Sequence, residues 1–165
     1  MAPALTLTNG SSTNLALATP TAAANDAAGL SRLPTEWQTI DRVVLDDTVI
    51  DQAVVGPNGV FAVSVDPDPV PATIEWDGLY RDGVRVTTTV KSALMAAHEL
   101  RRRVGERLFA YPLLVTTIQA TDEHLGRLGV ISSGRVAEAI WSHAGAPLTR
   151  TQRMDITRAL RGLTT

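Results

Sequence analysis

The sequence pattern predicts that two carboxylates and a serine, side chains that could take part in catalysis or metal binding, lie close together. They lie in a stretch where two valine-rich runs flank the turn Gly56-Pro57-Asn58-Gly59. A turn of this composition between β-branched runs predicts a β-hairpin. When the strands pair across the turn, Asp51 lies opposite Ser64, and Asp66 follows on the same face of the sheet. The two carboxylates could bind Mg²⁺ through their oxygens, or they could be polar residues at the rim of the sheet.

A second group of charged residues lies near the C-terminus. Thr149 and Gln152 form a capping-box pattern, which predicts a last helix that ends at about Arg161 and stops at Gly162. Its apolar residues occupy one arc, and four arginines gather on another: Arg150, Arg153, Arg158 and Arg161. This basic surface could bind the phosphates of a nucleic acid. The alternative is the solvated outer face of an amphipathic helix.

Other motif candidates fail on their spacing. The three histidines, His98, His124 and His143, lack the separation of metal ligands, and His98-Glu99 is not followed by a second histidine. The segment Gly126-Arg127-Leu128-Gly129 has neither a third glycine nor a phosphate-loop lysine. The chain contains no cysteine, which excludes disulfides, cysteine-type zinc sites and thiol nucleophiles.

Composition limits the remaining classes of function. The chain has 165 residues, of which 44% are hydrophobic, so it can form one domain with a real core. Its formal net charge of -2 does not by itself mark a nucleic-acid binder. The absence of cysteine fits a reducing, cytoplasmic compartment. No apolar run approaches the roughly 20 residues of a membrane span, so we expect no membrane association.

The pattern along the chain predicts a tail followed by one α/β domain. Residues 1–29 are rich in Ala, Thr and Ser, so we predict a disordered tail, although 22–33 could form a short helix ending before Pro34. Residues 30–165 form the predicted domain. Its predicted elements are a strand at 37–45, the hairpin with Val55 opposite Val60, a second hairpin of 74–79 and 84–90, a helix at 91–108, a strand at 111–119, a strand at 130–132, a helix capped by Ser132 or Ser133 that runs to 143, and the last helix.

At the hairpin the chain resembles the nuclease-related domain (NERD) family, which is similar to the restriction-endonuclease-like PD-(D/E)xK superfamily. The matching segments are Leu33-Pro34, 37–44, Ile50-Asp51, 54–57 and 59–63, within a resemblance that covers about 30–163. The resemblance implies a mixed central sheet flanked by helices, here with two C-terminal helices. It also implies a metal site built from an aspartate, a glutamate and a lysine.

The site residues of that family are mostly replaced in this chain. Asp51 matches the family's aspartate, but the residue after it is Gln52 where the family has histidine. Ser64 stands at the glutamate position and Asp66 at the lysine position. An anion then occupies the place of the cation that would stabilise the transition state, and such a loss typically costs about a hundredfold or more in rate. We therefore expect a catalytically inactive binding or scaffolding module that needs no cofactor.

Two alternatives remain open from the sequence. An active, Mg²⁺-dependent nuclease would need a rearranged site in which Glu75 on the next strand and Lys91, the one lysine in the chain, join Asp51 and Asp66. A nucleic-acid-binding module would use the arginine face of the last helix. The sequence does not decide whether the partner is a protein or a nucleic acid, nor the oligomeric state.

Overall fold

The structure is a computed structural model that describes residues 29–105, 107–118 and 123–164. The predicted tail therefore lies outside the described residues except for Gly29, and so does the first part of the short helix predicted at 22–33. The described part of that helix is a single 3-10 turn, Leu30–Arg32. In the ranges that the structure describes, no helix has the length and apolar character needed to cross a membrane.

The described chain forms two sheets and three α-helices. The strands are β1 (Gln38–Leu45), β2 (Thr48–Gly56), β3 (Gly59–Val65), β4 (Thr73–Glu75), β5 (Gly78–Arg81), β6 (Val84–Arg85), β7 (Ala110–Val115), β8 (Glu123–Leu125) and β9 (Leu128–Ile131). The helices are α1 (Thr87–Val104), α2 (Val136–Ser142) and α3 (Arg150–Arg161). The main sheet has the order β1-β2-β3-β7-β9-β8, and β4, β5 and β6 form a small antiparallel sheet.

The main sheet is mixed, which confirms the predicted α/β class. The strands β1, β2 and β3 form an antiparallel meander, whereas β3 pairs in parallel with β7, and β7 in parallel with β9. Parallel neighbours need a long connection, and the chain between β3 and β7 supplies it with the small sheet and α1. This connection places helices against the faces of the sheet.

The hairpin of β2 and β3 has the predicted register, with Val55 opposite Val60. Every residue from Gln52 to Val63 is buried except the turn pair Pro57-Asn58. One face packs against α1 and α3 through a cluster that includes Leu100 and Leu160, and the other packs against α2. Burial on both faces explains why the strands read as continuous apolar runs.

The hairpin turn is fixed against the end of α2. The Asn58 side-chain amide donates hydrogen bonds to the carbonyls of Ile140 (2.9 Å) and His143 (2.8 Å). On the other side of the turn, the Leu148 N–H donates to the Pro57 carbonyl at 2.8 Å. The last carbonyls of a helix lack partners within the helix, so Asn58 both satisfies these groups and fixes the position of α2.

The prediction for the second hairpin was wrong in its boundaries. The stretch 74–79 is divided by a turn at Trp76-Asp77 into β4 and β5. The stretch 84–90 is a strand only to Arg85, because α1 begins at Thr87 rather than at Lys91. The β-branched residues Val86 and Val90 pack against the core, Val90 from within α1, so tertiary packing overrides their β propensity.

Three smaller differences concern the C-terminal half. The strand predicted at 111–119 ends at Val115, with 119 outside the described residues. The strand β8 was not predicted. The helix expected to begin at Ser132 or Ser133 begins as a 3-10 turn, Ser133–Arg135, without a side-chain cap. In contrast, the capping box of Thr149 and Gln152 forms as predicted.

Gly56 provides a test of how tightly the hairpin is packed. A Cβ added there would lie 1.9 Å from the Trp37 ring, whereas one added at Gly134 would meet nothing within 4 Å. We expect Gly56→Ala to lose about 1–3 kcal/mol of unfolding free energy in urea denaturation, because the indole must move. Gly134→Ala should stay within about 0.5 kcal/mol of the unmodified chain. Equal stabilities of the two variants would contradict this packing.

His143 lies in an aromatic setting beside the hairpin turn. Its ring centroid is 4.0 Å from that of Tyr111 and 5.4 Å from that of Phe61. Desolvation lowers the pKa of His143 from its ordinary value of 6.5, and the nearby His124 lowers this pKa further. The folded chain therefore favours the neutral imidazole.

The lowered pKa of His143 makes stability depend on pH. At pH values below about 6.5 the unfolded chain binds a proton more readily than the folded chain, so this contribution is complete above that pH and is lost as the pH falls. We expect the thermal midpoint to fall between pH 7.5 and pH 5.5, and His143→Phe to reduce that fall. His98→Gln, at an exposed histidine, is the control and should retain it. The same pH dependence in His143→Phe and the unmodified chain would refute the assignment.

Candidate functional site

Asp51 lies where the ladder between β1 and β2 is interrupted. The pairs Asp41–Gln52 and Val43–Ile50 flank this interruption. Arg42, which stands across from Asp51, has a φ of 48°. The exposed Asp51 side chain turns toward β3, and its Oδ2 accepts a hydrogen bond from the Val65 N–H at 2.7 Å. Asp51 therefore ties the start of the buried hairpin to the end of β3.

Asp66, directly after β3, is buried and fully engaged. Its side chain is 3% exposed, and its Oδ2 lies 2.5 Å from Nη2 of Arg81. The same oxygen is 3.4 Å from the Thr116 hydroxyl, and Oδ1 accepts the Asp68 N–H at 3.1 Å. Both oxygens of Asp66 are thus occupied by groups of the chain itself.

Arg81 donates hydrogen bonds through all three of its side-chain nitrogens. Besides Asp66, its Nη2 donates to Thr116 at 2.8 Å, Nη1 donates to Asp68 at 3.2 Å, and Nε donates to the Val70 carbonyl at 2.8 Å. The Arg81 side chain is 10% exposed. We refer to Asp66, Asp68, Arg81 and Thr116 as the Arg81 cluster. Two carboxylates surround one guanidinium, so the cluster carries no excess positive charge.

The residues predicted for a metal site are placed separately. Ser64 is half-buried at the end of β3, next to the position of Asp51, while Asp66 faces Arg81. Glu75 is exposed on β4 of the small sheet, and Lys91 is exposed on α1.

Lys91 lines a cleft of about 430 Å³ whose lining includes neither Asp51, Asp66 nor Glu75. Over the described ranges, no group of three or more His, Cys, Asp or Glu side chains is placed to hold a metal ion.

Sequence reasoning missed the role of Arg81. Arg81 lies between the two strands of the predicted second hairpin, where a charged residue is typical of a turn. Its partners precede it by 13 and 15 residues in a proline-rich loop. The available signal was Asp66 itself, because a carboxylate next to a buried strand requires a cation or several donors if it is buried.

The predicted arginine surface forms one side of a groove. The groove has a volume of about 700 Å³ and lies between α3 and the segment that leads into β1. It is lined by Thr35, Glu36, Gln38, Arg150, Arg153, Met154, Thr157, Arg158 and Arg161. We call it the arginine groove. Four arginines against one glutamate make its lining strongly cationic.

The arginines of this groove are held by weak or neutral contacts. Arg161 donates to the Gln38 side-chain oxygen at 2.9 Å, and Arg153 reaches the Glu36 carbonyl at 3.5 Å. Arg158 lies 3.4 Å from Asp155, with both side chains more than half exposed. An exposed pair of this kind contributes little and is easily exchanged. The positive charge of the groove is therefore available to an anion.

Comparisons of this chain with protein-family models, with curated proteins and with solved structures found no match.

Arg81 provides the test of the Arg81 cluster. Arg81→Met removes the charge and keeps much of the aliphatic volume, leaving the buried Asp66 carboxylate without its cation. We expect a loss of about 3–5 kcal/mol in unfolding free energy, measured by urea denaturation, because an uncompensated buried charge is costly.

Arg85→Met is the matched control, since Arg85 pairs with Asp77 at 3.8 Å and its side chain is 54% exposed. That variant should lose less than about 1 kcal/mol. Similar losses of unfolding free energy in both variants would contradict a larger contribution to stability from the buried Asp66–Arg81 pair.

Proposed function

We propose that this chain is a nuclease-related domain that has lost nuclease activity and acts as a binding module. The proposal joins the resemblance of the hairpin to the NERD family with the environment of Asp66. Where that family has a lysine, this chain has a buried carboxylate bonded to Arg81 and to the Asp68 N–H. This carboxylate is committed to holding the small sheet against the main sheet, which supports a structural role.

The charge balance also supports inactivity. Cleavage of a phosphodiester develops negative charge that a cation or a set of free donors must stabilise. Arg81 is the nearest candidate to Asp66, but Asp66 and Asp68 neutralise it and each of its nitrogens already has an acceptor. Ser64, at the family's glutamate position, cannot supply the anionic oxygen that Mg²⁺ prefers.

The alternative of an active nuclease requires Glu75 and Lys91 to join the two aspartates. Glu75 belongs to the small sheet, and Lys91 lines a cleft that includes none of the other three residues. Asp51 already accepts the Val65 N–H. These positions favour the inactive domain over a rearranged metal site.

The arginine groove supports the proposal that this module binds nucleic acid. Contacts from arginine to phosphate supply much of the affinity of proteins for nucleic acids, largely without regard to sequence. The groove gathers four arginines from one helix, while the chain as a whole carries a net charge of -2. Four of the 15 Lys and Arg residues of the chain are thus gathered at this one surface.

A cleavage assay tests the loss of activity. We expect the purified chain, incubated with single- or double-stranded DNA and Mg²⁺ or Mn²⁺, to cleave no faster than its Asp51→Ala variant, because the described residues do not assemble a complete metal site. A contaminating nuclease would act equally in both preparations, so the variant is the control. Metal-dependent cleavage that disappears in Asp51→Ala would overturn the proposal.

The same preparations test binding in the absence of metal. Fluorescence anisotropy with a labelled DNA should show affinity that falls steeply between about 50 and about 200 mM salt, since bound phosphates release counterions. Replacing Arg158 by Gln should reduce the slope of log affinity against log salt by about 1. Affinity that is independent of ionic strength would contradict binding through the groove.

A further inference from the structure

The floor of the arginine groove contains buried polar groups without partners. Thr157 is 7% exposed, lines the groove, and its hydroxyl makes no hydrogen bond. The Nε of Arg153, also in the groove, is buried and has no partner either. Buried polar side chains in native proteins are nearly always hydrogen-bonded. The hydroxyl of Thr157 and the Nε–H of Arg153 therefore remain as donors without a partner in the described protein, and an anion that reaches the floor would satisfy them.

The rim of the groove differs from its floor. Arg150 and Arg158 are exposed, as is Arg161, which reaches across to Gln38. A ligand thus meets guanidinium groups first and the Thr157 hydroxyl last. The only acid among the lining residues is Glu36. This order suits a ligand whose negative charge is concentrated at one end that can enter.

The size of the groove distinguishes between kinds of phosphate. Its volume of about 700 Å³ falls in the range of clefts that take small molecules, about 300–1,000 Å³. The diesters of a continuous duplex lie along a convex surface, so they can contact the rim but cannot carry a phosphate to the floor. A terminal phosphate can enter, and at neutral pH it carries nearly two negative charges and three acceptor oxygens. Arginine guanidiniums match such a group with paired hydrogen bonds.

We infer that the arginine groove binds a terminal phosphate group, carried by the end of a nucleic-acid strand or by a free nucleotide. The inference rests on the proposed binding function and names the part of the ligand that is recognised. In the bound state the rim arginines contact the phosphate and its neighbour along the strand. The Thr157 hydroxyl and the Arg153 Nε–H donate to the phosphate oxygens at the floor.

The experiment compares three versions of one short single-stranded DNA: with a 5′-phosphate, with a 3′-phosphate, and with hydroxyls at both ends. Binding is measured by anisotropy in EDTA with an internal label. We expect one phosphorylated form to bind about tenfold more tightly than the hydroxyl form, which is the effect of about one charged hydrogen bond. Equal affinity of all three forms would overturn the inference.

Variants locate the preference in the groove. Thr157→Val keeps the shape of the side chain and removes the hydroxyl, and Arg153→Met removes the charge. Both should bring the phosphorylated form close to the affinity of the hydroxyl form, with folding checked by circular dichroism. Arg127→Gln, in the turn between β8 and β9, is the control and should keep the tenfold preference. A preference retained in both groove variants would refute the site.

Competition distinguishes the two carriers of the phosphate. Displacement of the phosphorylated strand by a nucleoside monophosphate at comparable concentration supports a free nucleotide, and displacement by the phosphorylated strand alone supports a strand end. The result is independent of the cleavage assay. Metal-dependent cleavage would contradict the proposed inactivity but would not affect the inferred preference for a phosphorylated strand end. Equal binding of the three strands would contradict that preference but would not affect the proposed inactivity.

Discussion

The β2–β3 hairpin is buried on both faces, and the arrangement of most of the described structure depends on this burial. The apolar surface of these strands gains about 25 cal/mol for each Å² removed from water, so helices must cover both sides. Small residues allow close contact, as at Gly56 beneath the Trp37 ring and at Gly145 beside the Asn58 carbonyl. The same close contacts leave the hairpin turn bonded to the end of α2 and to the segment that follows it.

Apart from Asn58 in the turn, the polar side chains of this hairpin lie toward its open end. Asp51 and Ser64 lie there, and Asp66 follows as the chain leaves the sheet. A carboxylate with so little exposure must be neutralised, and Arg81 at the end of β5 does so. The position that the proposed resemblance to nucleases assigns to a catalytic lysine is used here to join two sheets. This exchange of roles links the sequence of the hairpin to the proposed loss of activity.

Local patterns predicted the parts of the fold that depend on local interactions. The turn at 56–59 determined the register of β2 and β3, and the capping box determined the start of α3. The second hairpin was wrong because its boundaries depend on packing against the core, which the β-branched residues near α1 do not reveal. Arg81 was missed for a related reason, since its carboxylate partners lie far from it in the sequence.

The arginine groove was predicted in part. Helical periodicity placed the four arginines on one face of α3, which the structure shows lining a common surface. The opposite wall consists of residues near β1, more than a hundred positions earlier, and no sequence pattern connects the two. Sequence could therefore indicate a basic face but not a concave site.

The parallel pairing of β3 with β7 has a consequence for how the chain folds during synthesis. The meander of β1, β2 and β3 is complete before the small sheet, α1 and β7 have been made. Until then the edge of β3 is unpaired, and one face of the hairpin remains uncovered until the helix α2 has been made as well. Such an edge readily pairs with other chains. The nascent chain is thus prone to aggregate from the completion of β3 until β7 has been synthesised.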